Sequence, residues 1–143
     1  MSFVISCKKL AGNDTILSFR LEKSVTGGTG HMREKQNSAE YQETKQHGSR
    51  LFPFNIYPCT IPLDFPVVSL HWHKEMELIY VKKGKGQIQL ETENYEGNPG
   101  DIFVVTPGTL HSIHRIKGYA MEYENILIDL IGKDKYDVFL IFS

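Results

Sequence analysis

Cysteine and long apolar runs are scarce in this chain of 143 residues, and each scarcity excludes a class of protein. The two cysteines, Cys7 and Cys59, are too few for a disulfide framework, so a reducing cytoplasm is the expected compartment. Apolar runs such as residues 138–142 are far shorter than the roughly 20 residues that cross a bilayer. Lys8 and Lys9 interrupt the apolar start of the chain, which does not fit a secretory signal peptide.

An excess of positive charge is absent as well. The chain has 16 Lys and Arg residues against 17 Asp and Glu residues, for a formal net charge of −1. Nucleic-acid binding needs clustered cations that neutralise phosphates, so this polypeptide is not expected to bind DNA by itself. The length suits one ordinary domain with a core of its own. Four of the six histidines lie in the second half: His71, His73, His111 and His114.

The first fifty residues contain a weakly alternating pattern, a glycine-rich stretch and a polar segment. Residues 3–7 and 15–21 flank a turn cluster and are predicted to pair as a β-hairpin. Residues 30–32 are Gly-His-Met, which is typical of a cloning site before a start methionine. We therefore interpret residues 1–31 as vector-derived or fused sequence, with a natural glycine linker as the alternative. Residues 32–50 are interpreted as a flexible arm, a short solvated helix, or a segment that orders over a bound ligand.

From residue 51 onward, short apolar segments alternate with Gly and Pro turns. Residues 51–58 are aromatic and contain prolines, which is typical of edge segments that pack over a sheet. Six further strands are predicted, over residues 66–73, 76–83, 86–92, 101–105, 111–116 and 119–130. The tail after residue 132 predicts a turn and a last strand, with a helix as the alternative. No helical period is convincing, so residues 51–143 are predicted to form an all-β antiparallel sandwich or barrel.

Three histidines and one glutamate have the spacing of a metal site. His71 and His73 are two residues apart, so on a strand both rings project from one face. Glu77 has the same parity, and a continued strand or a tight turn can return its carboxylate to that face. His111 follows a Pro-Gly turn that would aim it inward. These donors suit Zn, Ni, Mn or Fe. The alternative is that the histidines are ordinary polar core or surface residues.

Four neighbouring residues are given other roles. Trp72 and Tyr80 alternate with the proposed ligand face, which favours core packing, with stacking on a bound ring as the alternative. Glu75 is predicted to be a turn residue that faces solvent. His114 is predicted to lie at the surface or at a pocket rim.

The two histidine segments resemble the two motifs of the cupin superfamily. The first motif is similar to His71-x-His73-x3-Glu77-x6-Gly84, and the second to Gly100-x7-Gly108-x2-His111. Phe65, Thr106 and Arg115 depart from the usual pattern, at turn positions. Residues 71–86 and 98–111 resemble more specifically the N-terminal sensor domain of AraC-type bacterial transcription regulators. This resemblance covers about residues 51–130, with residues 33–50 in the place of that family's arm.

The resemblance implies a cupin jelly roll that binds a small effector, often a sugar, and helps the regulator to dimerise. The implied effector and metal residues are His71, His73, Glu77 and His111, with Trp72 and Tyr80 as further effector candidates. DNA would be bound only through a separate C-terminal helix-turn-helix domain, which is absent from this chain. The main alternative is a stand-alone metal-dependent cupin enzyme, a dioxygenase or isomerase. A third option is a structural β module that uses a metal for stability.

Overall fold

The computed structural model describes residues 2–9, 15–22, 39–45, 47, 54–129 and 135–142. They belong to two compact units, one formed by Met1–Arg33 with Ile131–Ser143 and the other by Glu34–Leu130. In chain order the regular elements are β1 (Ser2–Lys9), β2 (Thr15–Glu22), a turn of 3₁₀ helix (Ala39–Tyr41), β3 (Phe54–Ile61), β4 (Val67–His71), β5 (Met76–Gly84), β6 (Gly86–Leu90), β7 (Glu93–Gly97), β8 (Ile102–Val105), β9 (His111–Arg115), β10 (Met121–Ile128) and β11 (Lys135–Phe142). Within these described ranges, no helix is long and apolar enough to cross a membrane.

The first unit contains a three-stranded antiparallel sheet with the order β1-β2-β11. Pairing of β1 with β2 confirms the predicted hairpin, and β11 confirms the predicted strand in the tail. The turn residues of the hairpin lie outside the described residues. The division into residues 1–31, an arm over 32–50 and a domain over 51–143 stays a prediction.

The second unit contains two four-stranded antiparallel sheets with the orders β3-β10-β5-β8 and β4-β9-β6-β7. Apolar side chains of both sheets pack into one core. Ile79 and Val81 of β5 lie in this core with Ile88 of β6 and Ile113 of β9, and all four are fully buried. Burial of the inner faces against each other is the packing that defines a β-sandwich. The predicted all-β fold, an antiparallel jelly roll, is confirmed.

The strands follow the predicted pattern with one exception. β3 is an edge strand, as expected for a segment that contains Pro58, because proline lacks the N–H that a central strand needs. β7 is not among the predicted strands; its residues lie between the segments predicted as strands over 86–92 and 101–105. The first four residues of β7 are exposed, so its sequence has no apolar alternation to reveal a strand. Backbone pairing with β6 holds it in place.

Gly84 is the last residue of β5, and its backbone lies close to that of Ala120, the residue before β10. Its backbone is in the left-handed region, with φ at +71°, and a Cβ there would lie 1.8 Å from the carbonyl oxygen of Ala120. Gly118 is also left-handed, with φ at +88°, but among the described residues no heavy atom lies within 4 Å of its Cβ position. Substitution of Gly118 therefore tests backbone strain alone, whereas substitution of Gly84 tests strain together with steric overlap.

We predict that Gly84→Ala destabilises the second unit more than Gly118→Ala does. The Gly118 variant bears only the left-handed penalty of about 1–2 kcal/mol, whereas Gly84→Ala adds an overlap with backbone that has to move. Urea denaturation followed by the fluorescence of Trp72, the single tryptophan of the chain, measures both losses. Equal losses for the two variants would contradict the close approach at Gly84.

Candidate metal centre and cavity

The predicted ligand residues come together from both sheets of the second unit. His71 ends β4 and is paired directly with His111, the first residue of β9. Glu77 is the second residue of β5, in the facing sheet. β4 ends two residues earlier than predicted, so His73 lies in the connection to β5 and not on a strand shared with His71. The short connection between β4 and β5, and not a continuous strand, therefore brings His73 close to His71.

The three imidazoles form a close cluster. One ring nitrogen of each of His71, His73 and His111 lies within 4.8 Å of the other two, an arrangement that could hold a metal ion. The ring centroids of His71 and His111 are 4.2 Å apart, and those of His73 and His111 are 5.0 Å apart. His73 and His111 are buried, whereas His71 keeps about a fifth of its side chain exposed. The cluster is therefore accessible from the side of His71.

Each imidazole is oriented by a backbone carbonyl two residues away. Nδ1 of His71 lies 2.8 Å from the carbonyl oxygen of Ser69, and Nδ1 of His111 lies 2.8 Å from that of Thr109. Nδ1 of His73 lies 3.1 Å from the carbonyl oxygen of Glu75. A carbonyl oxygen only accepts, so each Nδ1 carries the proton and donates it. This leaves Nε2 of each ring as the candidate donor atom, the arrangement found for metal-binding histidines.

The Glu77 carboxylate lies against two of these Nε2 atoms. Its Oε2 is 3.1 Å from Nε2 of His73 and 2.8 Å from Nε2 of His111. Burial by itself would raise the pKa of Glu77, but the contacts with His111 and His73 lower it to about 2. Burial would likewise lower the pKa of His73, and the hydrogen bond with Glu77 raises it above its ordinary value. The carboxylate is therefore ionised and needs a positive charge beside it.

The cluster fits a divalent cation as well as a proton. An ionised carboxylate and an unprotonated imidazole nitrogen both accept hydrogen bonds, so their close approach requires a cation between or beside them. Nε2 of His111 is fully buried, and its 2.8 Å contact with Oε2 of Glu77 lacks the geometry of a hydrogen bond. Burial is the main cause that lowers the pKa of His71, which keeps this ring neutral and able to coordinate. Three imidazoles and a carboxylate match the donor preference of Zn, Ni, Mn or Fe.

A cavity of about 240 Å³ opens beside the cluster, inside the second unit. His71, His73 and Glu77 form part of its wall. The complete lining consists of Glu43, Lys45, His47, Tyr57, Cys59, Phe65, Val67, Val68, His71, His73, Glu77, Tyr123, Asn125 and Leu127. Charged, hydroxyl, amide and apolar side chains thus surround one space, as in sites for small polar metabolites.

The described part of the arm is attached to the residue between two of the histidines. The backbone N–H of Trp72 donates to the carbonyl oxygen of Tyr41 over 2.9 Å, and that of Glu43 donates to Trp72 over 2.8 Å. Gln42 and Trp72 accordingly form an isolated parallel bridge. The proposed ordering of the arm over a bound ligand stays a prediction.

Side chains of the arm reach the cavity from this attachment. Oε2 of Glu43 lies 3.8 Å from Nε2 of His71, and its Oε1 lies 3.4 Å from Nε2 of His47. His47 is 4% exposed, and its Nδ1 lies 3.0 Å from the hydroxyl of Tyr57. Lys45 places its ammonium 4.9 Å from the centre of the Tyr57 ring. The arm therefore contributes charged and imidazole groups to the wall.

The remaining candidates lie away from the cavity wall. Tyr80 occupies the opposite face of β5 from Glu77, and Trp72 contacts the arm through its backbone. Their role in effector binding stays a prediction. The expectation that Glu75 faces solvent is wrong, because its side chain is only 13% exposed and its carboxylate lies 3.7 Å from Nδ1 of His73. His114 bonds Ser112 over 2.9 Å on the opposite face of β9 from His111.

Several cavity residues escaped the sequence prediction. Tyr123 and Asn125 share one face of β10 with the buried residues Met121 and Leu127, so polar residues at inward positions of a predicted strand were an available signal. His47 and Glu43 lie in a segment that is polar throughout, where no pattern distinguishes a cavity residue from a solvated one.

The sequence is similar to a family of ligand-binding domains and to two transcription regulators. The family described as "AraC-like ligand binding domain" matches residues 58–130. The uncharacterised HTH-type transcriptional regulator YbfI of Bacillus subtilis is 28% identical over 65 residues, which are 44% of this chain and 24% of that protein. The regulator YdeC of the same organism is 28% identical over 83 residues, 57% of this chain and 28% of that protein. The chain thus spans about a quarter of the length of these relatives.

Solved structures of cupins are also similar to this chain. A cupin 2 conserved barrel domain protein from Salinispora arenicola has a TM-score of 0.49 and 19% identity, covering 55% of this chain and 65% of that chain. A cupin 2 barrel protein from Rhodopseudomonas palustris has a TM-score of 0.48 and 9% identity, covering 95% and 76%. The family match covers half of this chain and includes the three clustered histidines and Glu77. The chain therefore belongs to the family of AraC-like ligand-binding domains.

Proposed function

We propose that this domain binds a small, carbohydrate-like effector for an AraC-type transcription regulator of the bacterial cytoplasm. The observation that carries the proposal is the cavity with imidazoles and a carboxylate in its wall, inside a domain of a ligand-binding family. Its volume of about 240 Å³ is below the 300–1,000 Å³ typical of sites for drug-sized ligands, which favours a single small metabolite. Effector binding, and not turnover, is the proposed activity.

The chemistry of the wall supports a neutral hydroxylated ligand. Apolar groups of Phe65, Val68 and Leu127 face the same space as the polar groups of the cluster and the arm. A sugar ring has C–H groups for the apolar side and hydroxyls for the polar side. The carboxylates of Glu43 and Glu77 share the wall with the ammonium of Lys45, so these fixed charges do not favour an anionic ligand.

A divalent metal would be held by His71, His73, Glu77 and His111. When bound, it would act as a Lewis acid toward a hydroxyl of the ligand. The buried Nε2 of His111 and the carbonyl-bound Nδ1 atoms support this assignment. In the metal-free protein the same imidazoles can hydrogen-bond ligand hydroxyls directly.

Regulation would pass from the cavity to the rest of the regulator. A ligand that contacts the cavity residues of the arm favours its attached state, and such differential binding shifts a conformational equilibrium. The two relatives are named as helix-turn-helix regulators and are much longer than this chain. We propose that DNA is contacted by a separate domain of that kind, and that this domain contributes to a homodimer.

The second candidate is a metal-dependent cupin enzyme, a dioxygenase or isomerase. The four-residue donor set beside a cavity is the observation that favours it. Oxygen uptake or isomerisation of a sugar phosphate by the iron- or manganese-loaded protein would support the enzyme over the sensor.

The metal assignment predicts the outcome of elemental analysis. The native protein, incubated with zinc and then desalted, should retain about one ion per chain. The double variant His71→Ala, His111→Ala should retain none, because losing two of four donors leaves too few ligands. His114→Ala is the matched control, since this histidine lies on the other face of β9. Metal retained in full by the double variant would refute the ligand assignment.

The effector proposal predicts the protease sensitivity of the arm. His47→Ala removes the buried contact with Tyr57, worth about 1 kcal/mol, so trypsin should cleave after Lys45 about fivefold faster. A neutral monosaccharide that occupies the cavity should slow this cleavage in the native protein, because it contacts the docked arm. His114→Ala serves as the control and should match the native rate. Mass spectrometry of the fragments identifies the site, and cleavage unaffected by every sugar tested would argue against a carbohydrate effector.

A further inference from the structure

Three polar atoms of the cavity have no hydrogen-bond partner among the residues described. They are Nε2 of His47, the hydroxyl oxygen of Tyr123 and Oδ1 of Asn125, each inaccessible to solvent. Oε1 of Glu43 lies 3.4 Å from Nε2 of His47, but this contact lacks hydrogen-bond geometry. The Tyr123 hydroxyl lies beside the thiol of Cys59, which is only a weak hydrogen-bonding group. All three side chains line the same cavity. Buried polar groups are normally paired, so several unpaired ones around one space indicate a missing partner in that space.

The fold places two of these groups side by side on one wall. Tyr123 and Asn125 are two residues apart on β10, so their side chains share a face of the sheet. Their partners across the strand pair with β3 are Cys59 and Tyr57, which also line the cavity. This wall belongs to the sheet of Glu77, whereas His71 and His111 belong to the facing sheet. A ligand in the cavity therefore lies between the imidazole cluster and the β10 wall.

The hydrogen-bonding character of the three groups differs. Burial, with the Cys59 thiol and Glu77 nearby, raises the pKa of Tyr123 far above its ordinary value, so its hydroxyl stays protonated and can donate. Oδ1 of Asn125 accepts. The hydroxyl of Tyr57 accepts from Asn55 over 3.0 Å and can donate its own proton to Nδ1 of His47. In that arrangement Nε2 of His47 carries a proton and donates.

Two donors and one acceptor around one space match hydroxyl groups, because a hydroxyl both accepts and donates. A wall intended only for packing would use phenylalanine at position 123 and an aliphatic residue at position 125, as apolar groups avoid the desolvation of unpaired polar atoms. The neighbouring inward positions of β10 are indeed apolar, with Met121 and Leu127 on either side. The polar pair lies in the part of the strand that lines the cavity, where Leu127 supplies an apolar neighbour.

We infer that Tyr123 and Asn125, together with His47 of the arm, bind the hydroxyl groups of the effector and determine which hydroxylated ligand is accepted. This inference rests on the proposed function and assigns the specificity of its site. The ligand class is a neutral molecule with at least two hydroxyl groups. One hydroxyl would accept from Tyr123 and another would donate to Asn125.

The test is a fluorescence titration of the full chain with neutral aldopentoses and aldohexoses and their monodeoxy derivatives. The single tryptophan, Trp72, lies between two cluster histidines and reports on binding. Tyr123→Phe and Asn125→Leu should each weaken the best-binding sugar about tenfold, or ~1.4 kcal/mol. The deoxy sugar that lacks the contacted hydroxyl should bind the native protein about as weakly, and Tyr123→Phe should weaken it no further.

Tyr95→Phe is the matched control, because Tyr95 is a partly exposed residue of β7 outside the cavity lining. It should bind the sugar as the native protein does. Tyr123→Phe should keep or raise the urea midpoint, since it removes an unpaired buried hydroxyl, which separates lost recognition from lost folding. Native-like affinity in both cavity variants, with a sugar that binds the native protein, overturns this inference alone. If no sugar binds the native protein, the carbohydrate proposal fails and this inference fails with it.

Discussion

The buried carboxylate of Glu77 is the constraint on which the site depends. It is 3% exposed and lies between two imidazoles whose Nδ1 atoms are already used by backbone carbonyls. A buried charge persists only when it is paired, so the cluster must hold a positive charge, either a proton or a metal ion. Without a metal, a proton supplies this charge, as the raised pKa of His73 and the lowered pKa of Glu77 indicate. A cation bound at this point would therefore take the place of the proton.

The two sheets contribute different residues to the site. The sheet of β4 and β9 supplies His71 and His111, while the facing sheet supplies Glu77 and the polar wall of β10. The arm joins them, because its backbone is bonded to Trp72 and its His47 reaches Tyr57 of β3. A ligand between the sheets would touch all three parts at once. In the proposed function, the state of the arm would therefore depend on whether the cavity is occupied.

The sequence predicted the barrel and the cluster because both depend on short-range patterns. Alternation located six strands, and the spacing of His71, His73, Glu77 and His111 located residues that the structure brings together. β7 was missed because its pairing is made by the backbone of a polar, exposed strand, which leaves no apolar signal. The end of β4 before His73 and the burial of Glu75 depend on how the chain passes from β4 in one sheet to β5 in the other, and the alternation of residues does not reveal this. The cavity roles of His47, Tyr123 and Asn125 arise from tertiary packing, which residue spacing does not encode.

The most direct test of the central claim, that the histidine and glutamate cluster is a cation site facing the effector cavity, is anomalous diffraction from crystals of the zinc-loaded protein at the zinc edge. The account predicts one strong peak bonded through Nε2 of His71, His73 and His111, with Oε2 of Glu77 completing the donor set. Bond lengths near the 2.0–2.2 Å typical of zinc would identify the ligands. A peak elsewhere, or coordination through Nδ1 with the carbonyl contacts broken, would contradict it.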